Sequence, residues 1–440
     1  MRRTASQPVK QSIFAVDQTQ IIKFQTTIFS LFVIFSHMYK SLVILLWAIP
    51  FLVSAQKATI SARVIDKESK EALAFATVGI KGKPIGTITN LQGEFDFHFP
   101  SEYSNETLAI SILGYVSFES LVSELINREN LVIELERTTF MLKEVVVIDS
   151  LNGGEILHVA LTRMEQNYPD KPFLLDGFYR DIKKVEGAYI SLLEAATKIY
   201  DEDYSLPRNK NKLRERVALL EIRRSIGYSN KFTAYFDQTN LLEDLLIHND
   251  IRYRQFPEED IFFETLKRKN DEIVDGREVY VIGIDTVYHL KIIIDKKTFG
   301  MLHLEFEAEL SDTMRKMRGL YSKLAYVKRV LDYKFYDGRL FPNYMTMVSR
   351  INWYDIRTDE LRFETELDQS LLINDINADP DGRIGTTEKM RKYGLQYQDL
   401  PYNKEFWDNY NVIKESPLDK KIVEDLEKLG PLEKQFEENN

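Results

Sequence analysis

A chain of 440 residues with 44% hydrophobic and 12% aromatic residues is long enough for two or three packed domains and is not disordered in composition. The absence of cysteine excludes disulfides, thiol catalysis, Cys-based zinc sites and a lipid-modified N-terminal Cys. The formal charge of −10 becomes −14 without residues 1–55, which hold five Lys/Arg and one Asp, and a surface of that sign attracts neither nucleic acid nor anionic lipid.

The stretch "MYKSLVILLWAIPFLVSAQ", from Met38, has the layout of a cleaved secretory signal: basic Lys40, an apolar run from Leu42 to Val53, and a small-x-small end at Val53-Ser54-Ala55 before Gln56. The run falls short of the about 20 residues that span a bilayer. A second apolar run, Ile28 to Phe35, is set apart by His37 and Lys40, which would be costly inside lipid. Residues 1–37 therefore read as an extension upstream of the true start at Met38. The rival reading is one retained N-terminal anchor. The expected location is export to the periplasm or the outer membrane, with at most peripheral membrane contact after cleavage.

From Ala58 to Asp149 short strand candidates follow one another closely, with turn signals between them. In "GTITNLQGEFDF" (Gly86 to Phe97), Thr87 and Thr89 alternate, Asn90 to Gly93 turns the chain, and Phe95 and Phe97 alternate with Glu94 and Asp96. The pattern predicts a hairpin with Gly86 and Gly93 as turn devices and the phenylalanines on one buried face.

The run "ARVIDKESKEALAFATVGIKGKPIGTITNLQGEFDF", then "ISILGY" and a closing "LKEVVVID", resembles the carboxypeptidase-regulatory-like domain, a transthyretin-like β-sandwich. Val64, Asp66, Leu73, Ala76, Val78, Gly86, Thr89, Gly93, Phe95 and Gly114-Tyr115 carry the resemblance. Ala72 stands where the family often has Pro, and Asn90 where it often has Asp. The resemblance implies a non-catalytic module in an exported protein of the Bacteroidota type, where it often precedes the plug and barrel of outer-membrane receptors. No plug follows here, and the remaining residues are too few for a 22-stranded barrel.

After Asn152-Gly153-Gly154, Ile156, Leu157, Ala160, Leu161 and Met164 share one helical face, ended by Pro169 and Pro172. His158 reads as a polar-face residue of that helix. Strand candidates "FLLDGFYRDI", "AYISLLEAATKIY" and "RVALLEIRRS" come next, then a helix-like "LLEDLLIH". Hairpins are signalled at Asp275-Gly276, near Lys296 to Gly300, and at Asp337-Gly338. In the strand after Gly300, Leu302, Leu304, Phe306, Ala308 and Leu310 face one way, and His303, Glu305, Glu307 and Glu309 the other, which marks a sheet with one wet face. The combination of the regulatory-like module with the "NYP…GFYRD" segment and the aromatic tail "FWDNYN" resembles uncharacterised exported proteins of the same bacterial group. The architecture of this second half is similar, by analogy only, to half-open barrels of periplasmic lipoprotein carriers.

The expected fold class is therefore mainly β with an α+β second domain: a sandwich, then a large antiparallel meander sheet or half-open barrel with flanking helices. The expected divisions are 1–55 (signal and extension), 56–150 (sandwich), 151–388 (sheet domain) and 389–440 (tail). In the tail, Phe406 and Trp407 dock on the sheet, and Leu418, Ile422, Leu426 and Leu429 fit helical spacing.

The sharpest chemical candidate is "NADPDGRIGTTE". Asn377, Asp379, Asp381, the Arg383 carbonyl and Glu388 fit the ligand positions of a calcium loop, with Gly382 at its turn place and Ile384 at its apolar place. The alternative is a polar loop after the last strand. No other cofactor is expected. The acidic "YDEDYS" (200–205) reads as an exposed loop, and the six His lack zinc spacing. Nucleophile-elbow and phosphate-loop motifs are absent. The expected role is non-enzymatic binding or assembly in the envelope, with an envelope protein or an apolar ligand as partner. A hydrolase acting on envelope glycan or peptide is the alternative.

Overall fold

The computed structural model describes residues 57–138, 150–229, 231–236, 240–390, 394–398, 400–414 and 417–438. The expected signal segment and the strand expected at "EVVVID" lie outside the described residues. Among the described residues no helix is long and apolar enough to cross a membrane.

The sandwich has two sheets. One has the order β4-β1-β7, from β1 (Lys57–Asp66), β4 (Glu94–Pro100) and β7 (Leu131–Leu135). The other has the order β3-β2-β5-β6, from β2 (Thr77–Ile80), β3 (Gly86–Ile88), β5 (Thr107–Ser111) and β6 (Phe118–Leu121). Strict alternation builds the core between them: Ile60, Ala62 and Val64 of β1 meet Phe95, Phe97 and Phe99 of β4. The expected Gly86–Phe97 hairpin is not formed, because β3 and β4 belong to different sheets. Alternation fixes which face of a strand is buried but not which neighbour it pairs with. Residues 89–93 are instead a corner between sheets. The Asn90 Oδ1 accepts from the backbone N–H of Gln92 (2.9 Å) and Glu94 (2.8 Å), and Gly93 sits at φ +74. Gly86 is no turn device: it lies within β3, where a Cβ would come 2.9 Å from the Val78 carbonyl oxygen.

A third, large sheet has 11 strands: β8 (Phe173–Val185), β9 (Ala188–Asp201), β10 (Arg216–Arg224), β11 (Lys267–Arg268), β12 (Glu272–Val274), β13 (Arg277–Asp285), β14 (His289–Asp295), β15 (Met301–Met317), β16 (Leu320–Tyr336), β17 (Arg339–Asp355) and β18 (Leu361–Asn377). Its order is β10-β9-β8-β18-β17-β16-β15-β14-β13-β11, with β12 also on β13. The two ends do not pair, so this is an open sheet rather than a barrel. The hairpins at Asp275-Gly276 (φ 49, 70) and Asp337-Gly338 (φ 48, 73) have the left-handed pairs that two-residue turns need. Glu186-Gly187 (φ 50, 77) and Arg318-Gly319 (φ 52, 79) turn in the same way with weaker sequence signals.

One face of this sheet carries the main core. Leu304, Leu331, Met345, Leu371 and Tyr179 line up across five strands and are all buried. Ile156, Leu157 and Ala160 of α1 (Gly153–Thr162) belong to the same cluster, as do Leu242, Leu245 and Leu246 of α2 (Leu241–Ile247). Asn152 and Glu155 close a capping box at the start of α1, which explains why the helix begins there. His158 lies exposed on it, as expected.

The tail lies against the opposite face. Trp407 of α3 (Lys404–Asp408), Tyr410 and Ile413 share one cluster with Ile88 of the sandwich and with Phe178, Tyr344 and Leu372 of the sheet. Ile422 and Leu426 of α4 (Pro417–Leu426), with Leu432 and Phe436 of α5 (Leu432–Glu438), pack on Ile182 and Leu192. Leu429 departs from expectation and is 60% exposed. The helix ends at Leu426 and continues as a 3₁₀ turn, which takes Leu429 off the apolar stripe.

Candidate functional site

Strand register places two rows of side chains on the face opposite the main core. Glu305, Val330, Thr346, Ser370 and Arg180 form one row across β15, β16, β17, β18 and β8. His303, Asp332, Tyr344, Leu372 and Phe178 form the next. At the β18–β8 side the second row is sealed by Ile88 and Trp407. Toward β15 and β16 the sandwich stands over the sheet without filling the space, leaving a cleft of about 670 Å³. Phe75, Thr77, Ile80, Ile85 and Ile112 line it from above, the two rows from below, and Ile413 and Lys414 of the tail at one side. Its volume lies within the range of about 300–1,000 Å³ usual for ligand sites.

Specific contacts hold the two walls together. The Phe75 ring stacks on Tyr344 at 5.6 Å, and the Asn343 side-chain amide donates to the Thr77 hydroxyl (3.2 Å). The tail adds a clamp: Asn411 accepts from the His98 N–H (2.7 Å) and donates to its carbonyl (2.9 Å), on the outer strand β4.

The charges in the cleft are mostly paired. His303 Nδ1 and Asp332 Oδ1 are 2.7 Å apart, and His303 Nε2 is 4.0 Å from Glu305. Lys328 reaches Glu305 (2.7 Å) and Glu307 (3.1 Å). Burial is the largest influence and pushes the Glu305 carboxyl up, but the bond and charge of Lys328, with the charges of His303 and His289, together hold the group below the ordinary range. Lys81, Lys83 and Lys414 pair with Glu119 (2.6 Å), Glu106 (3.0 Å) and Asp96 (3.0 Å). Lys334 differs. Its ammonium donates to the Pro84 carbonyl oxygen (3.2 Å), and burial pulls its pKa down to about 8.

None of the residues singled out for calcium lines this cleft. Asn377 ends β18, and its Oδ1 accepts from the Asp379 N–H (3.0 Å). Glu388 accepts from the Gly385 N–H (2.9 Å); Asp381 and Arg383 are exposed in the loop between. Among the described residues, no three His, Asp or Glu side chains converge as a metal site would require.

The acidic run 200–205 is not the exposed loop expected. Asp201 is buried against the fully buried Arg252, whose Nε donates to it at 2.7 Å while its other nitrogens bond the carbonyls of Ser205 (3.0 Å) and Asp203 (2.9 Å). A buried guanidinium needs that counterion, and it is supplied from 51 residues away, beyond any local pattern. Sequence reasoning placed His303 and Glu305 on a polar face. It missed Asp332 and Lys334, although these alternate with the core residues Leu331 and Tyr333 in the same way.

Residues 60–147 match the family model of the CarboxypepD_reg-like domain, so the sandwich is such a domain. The match covers less than half of the chain and leaves the large sheet unassigned. No curated protein matches the sequence. Among solved structures, the chain is similar to lipovitellin, described for its lipid–protein interactions, with 8% identity over 51% of this chain and 27% of that one and a TM-score of 0.23. It is also similar to MucB in complex with MucA(peri), with 9% identity over 52% and 99% and a TM-score of 0.16. The MucA/MucB complex of Pseudomonas aeruginosa gives the same values. At these TM-scores the likenesses carry no argument about function.

Proposed function

We propose that the chain is an exported, non-catalytic binding protein of the cell envelope, which holds an apolar or amphipathic ligand between its sandwich and its sheet. The cleft of about 670 Å³ carries this reading, because both walls are built from the fold itself and are pinned to each other around an unfilled space. Mass spectrometry of the mature chain, expressed with its signal in a bacterial periplasm, tests it. The expected result is a co-purifying small molecule that is lost in Val330→Trp, whose new ring fills the cleft. An empty protein, or a Val330→Trp variant that keeps the molecule, overturns the reading. No cofactor belongs to the proposal. The 377–388 loop is its one candidate cation site, and a calcium titration without effect on unfolding, in wild type and Glu388→Gln alike, removes calcium from it.

One observation favours a second reading, hydrolysis of envelope glycan or peptide. The Asp332–His303 pair faces the cleft with the geometry of a carboxylate orienting an imidazole. In that reading His303 Nε2 takes a proton from an attacking water. Release of products from envelope glycan or peptide that stops in His303→Gln supports it, and absence of release overturns it.

A further inference from the structure

We propose that the cleft takes an amphiphile by its anionic group, a carboxylate or phosphate, with the Lys334 ammonium as its anchor; this rests on the cleft being a binding site. Five lysines line the cleft. Four have a carboxylate within 3.0 Å, so their charge is answered inside the protein. Lys334 has, among the described residues, no carboxylate within 4.0 Å and one hydrogen bond, to the neutral Pro84 carbonyl. An ammonium has three N–H donors, so two remain for a ligand.

Among the described residues the charge of Asp375 favours this half-buried cation only from beyond 4.0 Å, so a charged acceptor in direct contact would offset more of its burial cost, and hydrogen bonds between ionised partners are the stronger kind. The pKa of about 8 leaves the group predominantly cationic at neutral pH. Room exists beside it, because Gly86 carries no side chain where a Cβ would stand 3.6 Å from Nζ. Ile85, Ile112, Val330 and Val348 line the same cleft and supply the apolar surface an alkyl chain needs. The recognised chemistry is thus an anionic head followed by a hydrocarbon tail.

Calorimetry with decanoate, decanol, decyl phosphate and inorganic phosphate tests this on the mature chain, in wild type, Lys334→Met and Lys334→Arg. Wild type is expected to bind decanoate and decyl phosphate about tenfold or more tighter than decanol, as a charge-assisted bond implies. Lys334→Met is expected to lose that preference while keeping its affinity for decanol, and Lys334→Arg to retain the preference. Equal affinity of wild type for decanoate and decanol overturns the anchor and leaves the cleft as a binding site, a comparison that needs no variant to fold. Lys334→Met binding decanoate as tightly as wild type overturns the anchor as well. Inorganic phosphate binding as tightly as decyl phosphate overturns the amphiphile. If neither decanoate nor decanol binds wild type, both the binding-site reading and the anchor fall.

Discussion

The corner at Asn90–Gly93 shows how much one residue can decide. Gly93 has φ +74, and a Cβ there would come 2.2 Å from the Val64 carbonyl oxygen, so conformation and space both demand glycine. Gly82 has nearly the same φ (+73), yet nothing lies within 4 Å of its missing Cβ. Gly82→Ala is therefore expected to cost about 1–2 kcal/mol, the left-handed strain alone. Gly93→Ala should cost clearly more, because β1 must also move away. Urea unfolding of both variants checks this, and equal losses would show that the corner relaxes around a methyl group. The glycine was legible in the sequence as a turn residue. Its collision with β1 was not, since Val64 lies far from it along the chain.

Elements meet here through the tail. Asn411 gives both side-chain groups to the backbone of His98, on an outer strand whose free polar groups would otherwise invite another chain. Asn411→Ala removes donor and acceptor together and leaves the N–H and C=O of His98 without these partners. The expected loss is about 1–3 kcal/mol, with faster hydrogen exchange at the His98 amide. An unchanged exchange rate would mean that the clamp contributes nothing at that edge. The aromatic texture of residues 402–413 foretold docking. It did not foretell that Trp407, Tyr410 and Ile413 would touch sandwich and sheet at once, because Ile88, Phe178 and Leu372 are brought together only by packing.

At the scale of the whole molecule, buried ionisable groups set the response to pH. Burial, reinforced by the charge of Asp201, raises the Glu215 pKa from 4.5 to about 7, and burial raises Asp250 from 3.8 to about 6. In both cases the folded chain keeps a proton that the unfolded chain has already released, so their contributions to stability fall as pH rises through those windows. Asp66 acts oppositely: bonds from the Ser69 N–H, Arg137 and Tyr115 lower its pKa, giving stability that is present above about 4 and lost in acid. Glu215→Gln stays neutral at every pH. Wild type is therefore expected to lose stability relative to Glu215→Gln between pH 5 and pH 8, read from urea midpoints. A constant difference would show that Glu215 does not titrate in that range. The sequence by itself determined the β-rich class, the sandwich with its family, the Asp-Gly hairpins and the polar alternation of His303 and Glu305, because each is written in neighbouring residues. Only the tertiary structure decided the pairing of β18 with β8, the Asp201–Arg252 pair, the closure of the sandwich over the sheet and the position of Lys334 in the cleft between them. Those depend on contacts across tens to hundreds of residues, which local periodicity does not encode.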